Sequence, residues 1–492
     1  MQQLSGLDEM FLSLDSSRTI GHIAGIGILK KTEGSAAHTV EFVRSRIAER
    51  LDTLPPLRWR LQSVPMRIDG RYWVEDEHLD LRNHIHAVTV PAPGHYEQVD
   101  DTMSEIMART LDRGKPMWEF YLLDGLAGDR FAYVLKVSHG LADGSVVWTI
   151  FDHLADEPLL HPESSPPAHA TRATKVGMFA RGVAGAAARP VKVARLQVGL
   201  TNWAAGRVKE DKIAAIPATI AQLMPGELSK PFSALANRLE KDEGRADVAS
   251  LMPTVNPPDS PFNGNVTNRM GMVAADLELA TLRKVGKLAG GTINDAVVAV
   301  VAGACRRYMA EHAGIPDRPL VAAIPISWRT GDEEHRWANQ VWMIFSPIPT
   351  HLDDPLERLK YAKEQLSVAK RNWQNMPAHL MREASTLVPA ELTMGPGVKV
   401  MTRIPNKLQP NMFNLSISNV KGPTERPHYD GTLMERYVVF GFLSPGVGAL
   451  FGGQSFGTHI SVSATCCKDI LPEYRQFDRY MHEALDELLA LT

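Results

Sequence analysis

The sequence is poor in cysteine, and its three cysteines form no recognisable disulfide or metal-binding pattern. Cys305 stands alone and Cys466 and Cys467 are adjacent, so no C-x-x-C pair occurs in 492 residues. Neighbouring cysteines rarely bridge each other, and an odd number leaves one thiol unpaired. Because few cysteines without a disulfide framework are typical of a reducing compartment, we expect a cytoplasmic protein.

The sequence also lacks a secretory signal and an uninterrupted membrane span. The N-terminal residues MQQLSGLDEMFLSLDSS contain no basic segment followed by a long apolar core, so we expect no signal peptide. The uncharged run Tyr437 to Cys467 is broken by Ser444-Pro445-Gly446, Gly448 and Gly452-Gly453. We therefore predict two or three buried strands joined by turns in this run, and no transmembrane helix.

An excess of charge of one sign is also absent from the chain as a whole. The formal net charge is -3, which gives no argument for nucleic-acid binding. A content of 44% apolar and 22% charged residues is ordinary for a globular protein. A chain of this length can form two to four domains with large cores.

One segment departs from this even balance. Between Arg172 and Lys212 there are nine basic residues and two acidic ones, a local charge of +7, with apolar residues such as Val176, Phe179 and Val183 interleaved. This pattern is typical of a basic amphipathic surface for anionic lipid. It is equally typical of a helical connector whose charged face is merely solvated, and both interpretations stay open here.

The stretch Phe131 to Glu157 is predicted to form a strand, a tight turn and a helix. Phe131, Tyr133, Leu135 and Val137 recur at every second position, as in a β-strand. Apolar residues after the turn recur at the 3.6-residue period of an amphipathic helix. The polar turn SHGLADG therefore stands at the end of a rigid, buried strand, where a side chain can be aimed.

This turn contains the pattern H-x-x-x-D-G. His139 can accept and return a proton near neutral pH, and Asp143 can hold the turn or cap the following helix. Gly140 and Gly144 give the turn backbone freedom. If the alternation continues, Ser138 points away from the face of His139. The alternative interpretation is an ordinary turn histidine, since short motifs match by chance.

The same spacing occurs a second time, at His482 and Asp486, within an amphipathic C-terminal helix where we interpret it as a solvated helix face. His84 and His86 are two residues apart, but a metal site needs more ligands at suitable spacing, so we expect no metal. In the C-terminal half, Asn294 and Asp295 precede a strongly apolar helix that either residue could cap. The segment NLSISNVKGP reads as a strand entering a turn.

Six short motifs occur in an order that resembles the bacterial wax ester synthase/diacylglycerol acyltransferase family. The resemblance runs nearly end to end, except in the 166–247 connector, which has no recognisable motif. Each motif is weak alone, and the six together are specific: LSGLDEMFL (4–12), PLRWRL (56–61), LDRGKPMWE (111–119), SHGLADG (138–144), Asn294-Asp295 and SNVKGP (418–423).

The resemblance implies an α/β (α+β) fold of the chloramphenicol acetyltransferase and condensation-domain type. Two lobes, each a mixed sheet with helices, would meet at an active-site channel. We accordingly divide the chain into an N-terminal lobe (1–165) carrying the H-x-x-x-D-G turn, a basic, Ala/Gly-rich helical connector (166–247) and a C-terminal lobe (248–492).

The resemblance also implies transfer of a long-chain acyl group from acyl-CoA to a fatty alcohol or diacylglycerol, without a covalent acyl-enzyme or a cofactor. His139 occupies the position of the family's general base, within the motif HHxxxDG. The catalytic turn would comprise His139, Asp143, Ser138 and Gly144. The implied oxyanion or substrate-binding residues are Asn294, Asp295, Ser418, Asn419, Pro116 and Trp118.

Two positions depart from the family pattern. Ser138 replaces the first motif histidine, and because it should face away from His139 we expect it to tune activity without removing the base. Met117 replaces leucine in the family's PLW triplet at similar volume, which is a mild change.

Two further functions stay open at this point. One is acyl transfer from a carrier protein to a lipid alcohol, and the other is a weakly catalytic lipid-binding or droplet protein, which the serine at position 138 would favour. The expected partners are acyl-CoA, a long-chain alcohol or diacylglycerol, and a lipid surface. Because these substrates are poorly soluble, we expect a cytoplasmic protein peripherally associated with the inner membrane or lipid droplets. The sequence specifies no oligomeric state.

Overall fold

A computed structural model describes the fold of most of the chain. The residues it describes are 2–15, 19–67, 70–160, 175–208, 257–327, 337, 339, 341–374 and 411–492. Their helices are α1 Gly6–Leu14, α2 Val40–Arg50, α3 Tyr96–Ala108, α4 Gly144–Leu154, α5 Lys175–Val208, α6 Leu279–Leu288, α7 Ile293–His312, α8 Pro355–Gln374 and α9 Phe477–Leu489.

The first lobe is built on a mixed sheet, which has six strands in the described part of the chain. Their order across the sheet is β12, β13, β2, β7, β6, β5, and only β5 and β6 run parallel to each other. The strands are β2 His22–Lys30, β5 Ile85–Thr89, β6 Trp118–Leu126, β7 Arg130–Ser138, β12 His428–Tyr429 and β13 Thr432–Phe440.

The second lobe is built on another mixed sheet, with six strands among the described residues. Their order is β10, β9, β11, β14, β15, β8, and β11 runs parallel to both of its neighbours. The strands are β8 Met270–Glu278, β9 Leu320–Ser327, β10 Val341–Ile348, β11 Leu415–Val420, β14 Ala449–Phe456 and β15 His459–Cys467. A small third sheet consists of β1 Gln2–Gln3, β3 Trp59–Gln62 and β4 Tyr72–Glu75.

The H-x-x-x-D-G turn begins at the central region of the first sheet, which holds its first residue rigidly. Strand β7 lies between β2 and β6, and all of its residues except Arg130 are buried. Alternate side chains of β7 enter two different cores: Phe131, Tyr133, Leu135 and Val137 enter one, and Ala132 and Val134 enter the other. A strand covered on both faces is typical of the middle of a sheet between packed layers.

The two lobes are joined by buried polar contacts as well as by apolar packing. Asp100 on α3 accepts a hydrogen bond of 2.7 Å from the backbone N–H of Met272 on β8, and also accepts from the hydroxyl of Tyr474. Tyr96 donates to the carbonyl of Met272. Asp100 is 1% exposed, so these bonds lie in a low-dielectric interior, where they are strong. The lobes are therefore firmly held against each other.

Sheet membership does not follow the predicted division at residue 248. Strands β12 and β13 belong to the predicted C-terminal range of 248–492, yet β13 pairs with β2 of the first sheet from Met434↔Leu29 to Phe440↔Ala24. The chain thus returns to the first lobe before it completes the second. Of the predicted connector, only the α5 segment is described, and Met178 on α5 packs with Val64, Tyr72 and Val74 of the first lobe.

The uncharged run Tyr437 to Cys467 forms parts of β13, β14 and β15, which confirms the prediction of two or three strands. Among the described residues no single helix has both the length and the apolar composition to cross a bilayer. Helices α6 and α7 meet those two criteria only when taken together, and they are bent by 89°.

Candidate active site

The H-x-x-x-D-G turn connects the central strand β7 to helix α4. Strand β7 ends at Ser138, and α4 begins at Gly144. Asp143 is the N-cap of α4: its Oδ1 accepts hydrogen bonds from the backbone N–H groups of Ser145 (3.1 Å) and Val146 (3.0 Å). The carboxylate thus satisfies N–H groups that have no partner within the helix.

The imidazole of His139 lies between two phenylalanine rings. The ring of Phe11 from α1 stacks on it with centroids 3.9 Å apart, and the ring of Phe442 meets it edge-on at 5.1 Å. The same two phenylalanines contact each other at 5.3 Å. Phe11 comes from the start of the chain and Phe442 follows β13, so distant segments enclose this histidine.

This enclosure controls the proton affinity of His139. Burial lowers the pKa of the imidazole below its ordinary value of 6.5, while the residue's own carbonyl, the charge of Asp143 and Asn339 act in the opposite direction. Desolvation penalises the charged form of a histidine, so the neutral form is favoured at neutral pH. A neutral imidazole can act as a base.

The backbone of His139 is held from both sides. Its N–H donates to the carbonyl of Gly21 at 2.8 Å, and its carbonyl accepts a hydrogen bond from Nδ2 of Asn339, which precedes β10 in the second lobe. The same Nδ2 donates to Oδ1 of Asp8 at 2.8 Å. Burial raises the pKa of Asp8 to about 6, although Asn339 and Ser5 oppose the shift. One amide therefore links the turn, α1 and the second lobe.

The two glycines of the turn differ in the space around them, since Gly140 is closely packed and Gly144 is not. A Cβ on Gly140 would stand 2.9 Å from the carbonyl oxygen of Asp8 and 2.8 Å from Leu12, so only glycine lets α1 approach the turn this closely. A Cβ on Gly144 would stand 4.0 Å from Val420 on β11 of the second lobe. The turn consequently lies where the two lobes meet.

Ser138 is on the other face of the sheet from Val137, and its cross-strand partner is His22 on β2. Ser138 is 1% exposed and His22 is 0% exposed. The hydroxyl of Ser138 makes no hydrogen bond within the described part of the chain. Because cross-strand partners share one face of a sheet, the serine side chain faces His22.

Two of the predicted oxyanion residues meet in the second lobe. Asn419 on β11 donates from Nδ2 to Oδ1 of Asn294 on α7, at 3.2 Å. Ser418 precedes Asn419 on the same strand and pairs with Gly452 of β14. Val420, which lies nearest to the motif residue Gly144, directly follows Asn419. One member of the asparagine pair, Asn419, therefore lies on the strand that faces the turn.

The N-cap of α7 differs from the prediction. Thr292 is the N-cap, and Asn294 is already inside the helix. Asp295 is the third helical residue and accepts a hydrogen bond from the backbone N–H of Thr292 at 2.6 Å, which completes a capping box. The sequence pattern T-x-x-D at 292–295 is the signal for this capping box. The prediction overlooked Thr292 and named Asn294 or Asp295 as the cap.

Pro116 and Trp118 have packing roles in the structure. Trp118 is fully buried, its indole N–H donates to the carbonyl of Leu57 at 2.8 Å, and its ring stacks on His84 at 4.5 Å. Met117 between them accepts a hydrogen bond of 3.0 Å from the N–H of Ser138. These contacts hold β6 beside the turn, and the substrate-binding role that the resemblance implies for Pro116 and Trp118 stays a prediction.

Sequence reasoning assigned no role to several residues around His139. They are Asp8, Phe11, His22, Asn339 and Phe442. Asp8 and Phe11 lie in the LSGLDEMFL motif, where the order of motifs gave a signal without a role. The other three are far apart in the sequence, and only the fold brings them to the turn. Among the described residues, no group of three or more His, Cys, Asp or Glu side chains is placed to hold a metal ion.

The architecture is shared with other proteins of known structure. The wax ester synthase/diacylglycerol acyltransferase of Marinobacter aquaeolei superposes with a TM-score of 0.64 at 21% identity, over 100% of this chain and 99% of the other. The starter condensation domain of rhizomide synthetase superposes with a TM-score of 0.52 at 12% identity, over 99% and 95% of the two chains. These similarities define the condensation-domain type of two-lobed fold.

Comparison of sequences defines the family. The model of the wax ester synthase/diacylglycerol acyltransferase catalytic domain matches residues 4–297, and that of the WS/DGAT C-terminal domain matches residues 337–489. The chain therefore belongs to the wax ester synthase/diacylglycerol acyltransferase family and is an acyltransferase. The O-acyltransferase WSD of Acinetobacter baylyi is 25% identical, over 99% of this chain and 96% of the relative. A Mycobacterium tuberculosis protein named as a diacylglycerol O-acyltransferase is 27% identical, over 99% and 90%.

Proposed function

We propose that this acyltransferase moves a long-chain acyl group from acyl-CoA to the hydroxyl of a fatty alcohol or diacylglycerol, with His139 as the general base. The supporting observation is the placement of His139: it lies at the junction of the lobes, its backbone is held at both ends, and burial keeps its imidazole neutral. The names of the relatives, which are diacylglycerol and wax ester acyltransferases, support the products.

The proposed reaction balances through one proton. The imidazole of His139 takes the proton of the acceptor hydroxyl, and the resulting oxygen nucleophile attacks the thioester carbon. The carbonyl oxygen becomes an oxyanion, for which Asn294 and Asn419 are the proposed donors. When the C–S bond breaks, the CoA thiolate takes the proton back from His139. A positioned base of this kind contributes about 10²–10⁴-fold to the rate.

Direct transfer without an acyl-enzyme is supported by the state of the possible nucleophiles. All three cysteines are buried, and burial raises the pKa of Cys305 and of Cys466 well above the ordinary value, so neither forms a thiolate. A serine nucleophile requires a hydrogen bond to its base, and the hydroxyl of Ser138 has no such bond in the described structure.

The test measures the free thiol that the purified protein releases, which is CoA from acyl-CoA and the carrier's own thiol from a carrier thioester. Palmitoyl-CoA is offered with a panel of long-chain alcohols and with diacylglycerol, and a matched assay offers the palmitoyl thioester of a carrier protein. We expect turnover with acyl-CoA and at least one acceptor, and none in His139→Ala. Turnover with the carrier thioester alone would favour carrier-dependent transfer, and lipid binding without turnover would favour the non-catalytic function.

We also propose that helix α5 attaches the protein to a lipid surface. Val176, Phe179, Val183, Val191 and Val198 are exposed. At about 100° per residue they fall within an arc of about 120° on the helix. Met178 and Leu196, which are buried, lie on the opposite side. The helix thus turns one apolar stripe inward and a second one outward.

Basic residues accompany the outward stripe. Arg195 is exposed about 40° beyond one edge of this stripe, and Lys192 is exposed further round the helix on the same side, within the segment of local charge +7. An apolar stripe with basic side chains along one side suits the interface of an anionic lipid layer, and each basic residue near such a surface contributes about 1 kcal/mol. The occupant we propose is therefore an anionic lipid surface.

Vesicle sedimentation tests this attachment. We expect binding to anionic vesicles at low salt, release at high salt, and weaker binding when Arg181, Arg189, Lys192 and Arg195 are changed to Gln or when Val183 and Val191 are changed to Ser. Turnover on soluble short-chain substrates should stay unchanged in both sets. Equal binding to neutral and anionic vesicles, or no effect of the substitutions, would make α5 a solvated connector.

A further inference from the structure

A buried polar cluster lies directly behind the His139 turn, and the proposed reaction makes no use of it. Its central members are Asp15, at the end of α1, and His22, at the start of β2. Nε2 of His22 is 3.6 Å from Oδ2 of Asp15, and His22 is fully buried. Neither ring nitrogen of His22 makes a hydrogen bond within the described residues, so the imidazole has no partner nearer than this carboxylate.

The carboxylate of Asp15 connects His22 to the backbone of the proposed base. Oδ1 of Asp15 accepts a hydrogen bond of 2.7 Å from the N–H of Gly21. The carbonyl of the same Gly21 accepts the hydrogen bond of 2.8 Å from the N–H of His139. The Gly21 peptide is thus fixed at its N–H by Asp15, and its carbonyl fixes the start of the catalytic turn.

The same carboxylate fixes the aromatic wall of the site. Arg113 donates to Oδ2 of Asp15 at 3.3 Å and also to the carbonyl of Leu12 on α1. A Cβ on Gly21 would stand 2.6 Å from the carbonyl oxygen of Phe11, so the Gly21 peptide is pressed against the helix that supplies the stacking ring. Asp15 therefore acts on both the backbone of His139 and the ring that covers its imidazole.

The charge states of the two partners are consistent with a directed contact. Burial lowers the pKa of His22, although Asp15 opposes the shift, so the imidazole is neutral at neutral pH. Burial acts to raise the pKa of Asp15, but His22, Gly21 and Arg113 together hold it below the ordinary value. At 3.6 Å the imidazole is just beyond hydrogen-bonding distance of the Asp15 carboxylate, so the charge of that carboxylate favours a ring orientation that turns an N–H toward it.

We propose that Asp15 and His22 form a positioning pair that holds His139 in its reactive geometry. This inference rests on the proposed role of His139 as the base. His22 and Ser138 are cross-strand partners, so a ring introduced at position 138 would lie beside the ring of His22 on the same face of the sheet.

The first experiment compares substitutions of His22. In His22→Leu we expect kcat to fall about tenfold, with KM for palmitoyl-CoA nearly unchanged, because a positioning residue acts on the reactive geometry and not on substrate affinity. His22→Gln keeps an amide N–H that can reach Asp15, so it should retain most of the turnover. His153→Gln is the control, since His153 is also buried and lies at the far end of α4.

The second experiment moves the histidine between strands. His22→Ser should lose turnover, and the double variant His22→Ser/Ser138→His should recover part of that loss, because the new ring enters the same space from β7. The acid limb of the pH profile of kcat/KM should move toward the ordinary imidazole value in His22→Leu, since a loosened turn admits water to His139. NMR of the histidine rings measures the same pKa without an activity assay. The His139 signal is assigned as the one that is missing from the spectrum of His139→Ala.

Three outcomes would overturn the positioning pair. In the first outcome, His139→Ala is inactive, but His22→Leu, Asp15→Asn and the control all keep the wild-type kcat. The positioning pair would then be wrong, and the proposed role of His139 as the base would stand. In the second outcome, His22→Gln and His22→Leu lose turnover and melting temperature to the same extent, which would mean that His22 contributes packing alone. In the third, His139→Ala stays active, and both proposals then fail. If His22→Leu does not fold, Asp15→Asn gives the same comparison at nearly constant shape.

Discussion

The chain contains the spacing H-x-x-x-D in two places, and the structure puts the two copies in very different surroundings. His139 and Asp143 lie in a turn between the central strand β7 and α4, with the imidazole between two phenylalanine rings. His482 and Asp486 lie on the exposed face of α9. Nδ1 of His482 is 2.9 Å from the carbonyl of Asp478, one helical turn earlier.

The comparison shows that the pattern carries chemistry only through its surroundings. In α9 the histidine and aspartate are four residues apart because the helical repeat puts them on one face. In the turn the same spacing separates a residue at a strand end from a helix N-cap. The side chain of His482 is 47% exposed and keeps its water, whereas burial lowers the pKa of His139. Substituting the matching residues in both copies tests whether the surroundings of the turn, and not the spacing itself, give His139 its proposed role.

The largest expected difference is between His139→Ala and His482→Ala. Loss of a positioned general base should reduce kcat for CoA release by about 10²–10⁴-fold. His482→Ala should leave kcat unchanged, since that imidazole lies on a solvated helix face. Both variants should keep the circular dichroism of the wild type. If His139→Ala keeps more than about a tenth of the wild-type turnover, a different group supplies the base.

A smaller difference is expected between the two aspartates. Asp143→Ala removes the N-cap of α4 and should lower the free energy of unfolding by about 1 kcal/mol, together with turnover, because the cap also fixes the turn. Asp143→Asn should be milder, since an amide oxygen can still accept from Ser145 and Val146. Asp486→Ala should change neither quantity. Lost turnover at an unchanged melting temperature in Asp143→Ala would argue against the structural role.

The pH dependence of the reaction should reflect the desolvation of His139. The folded-state pKa of His139 is depressed, so kcat/KM should hold at pH 6.5 and decline only below it. By linkage, the unfolded chain binds more protons than the folded one just below pH 6.5, so stability also declines as pH falls through that region. Phe11→Ala should move the acid limb upward by admitting water. An acid limb at or above the ordinary value in the wild type would contradict the buried neutral base.

The smallest effect on turnover is expected for Ser138→His, which restores the histidine pair of the family motif. We expect turnover at or above the wild-type value, because the new ring lies on the face away from His139. The melting temperature should fall, since the ring shares a packed space with His22, and overpacking typically costs about 1–3 kcal/mol. Thermal melts beside the CoA-release assay measure both. A large loss of turnover would give the serine hydroxyl a direct role.

Local patterns predicted much of the fold around the site. The predicted strand, turn and helix at Phe131 to Glu157 are β7, the turn and α4, and the predicted strand Ile23 to Lys30 is β2. Alternation of period two identified β7 because its large side chains enter one core and the smaller Ala132 and Val134 enter the other. The two-lobed architecture followed from the order of six motifs, and the solved structures confirm it.

Contacts between distant segments escaped the sequence analysis for a physical reason. Phe442 and Asn339 are 303 and 200 residues from His139 along the chain, and no period or spacing links them to the turn. The division at residue 248 was drawn from the sequence alone. The pairing of β13 with β2 depends on backbone hydrogen bonds, which side-chain patterns do not encode. The sequence could not identify His22 as the cross-strand partner of Ser138, because it does not reveal the register of β2 against β7.

The pairing of β13 with β2 has a consequence for how the chain can be divided. The family model for the catalytic domain ends at residue 297, but the first sheet takes its strand at Thr432–Phe440 from the region matched by the other model. A fragment cut between the two models would expose the edge of β2, a template for aggregation. It would also lack Phe442, one wall around His139. The two halves are therefore not interchangeable modules, and a chimera that borrows one half from a relative must also match this strand.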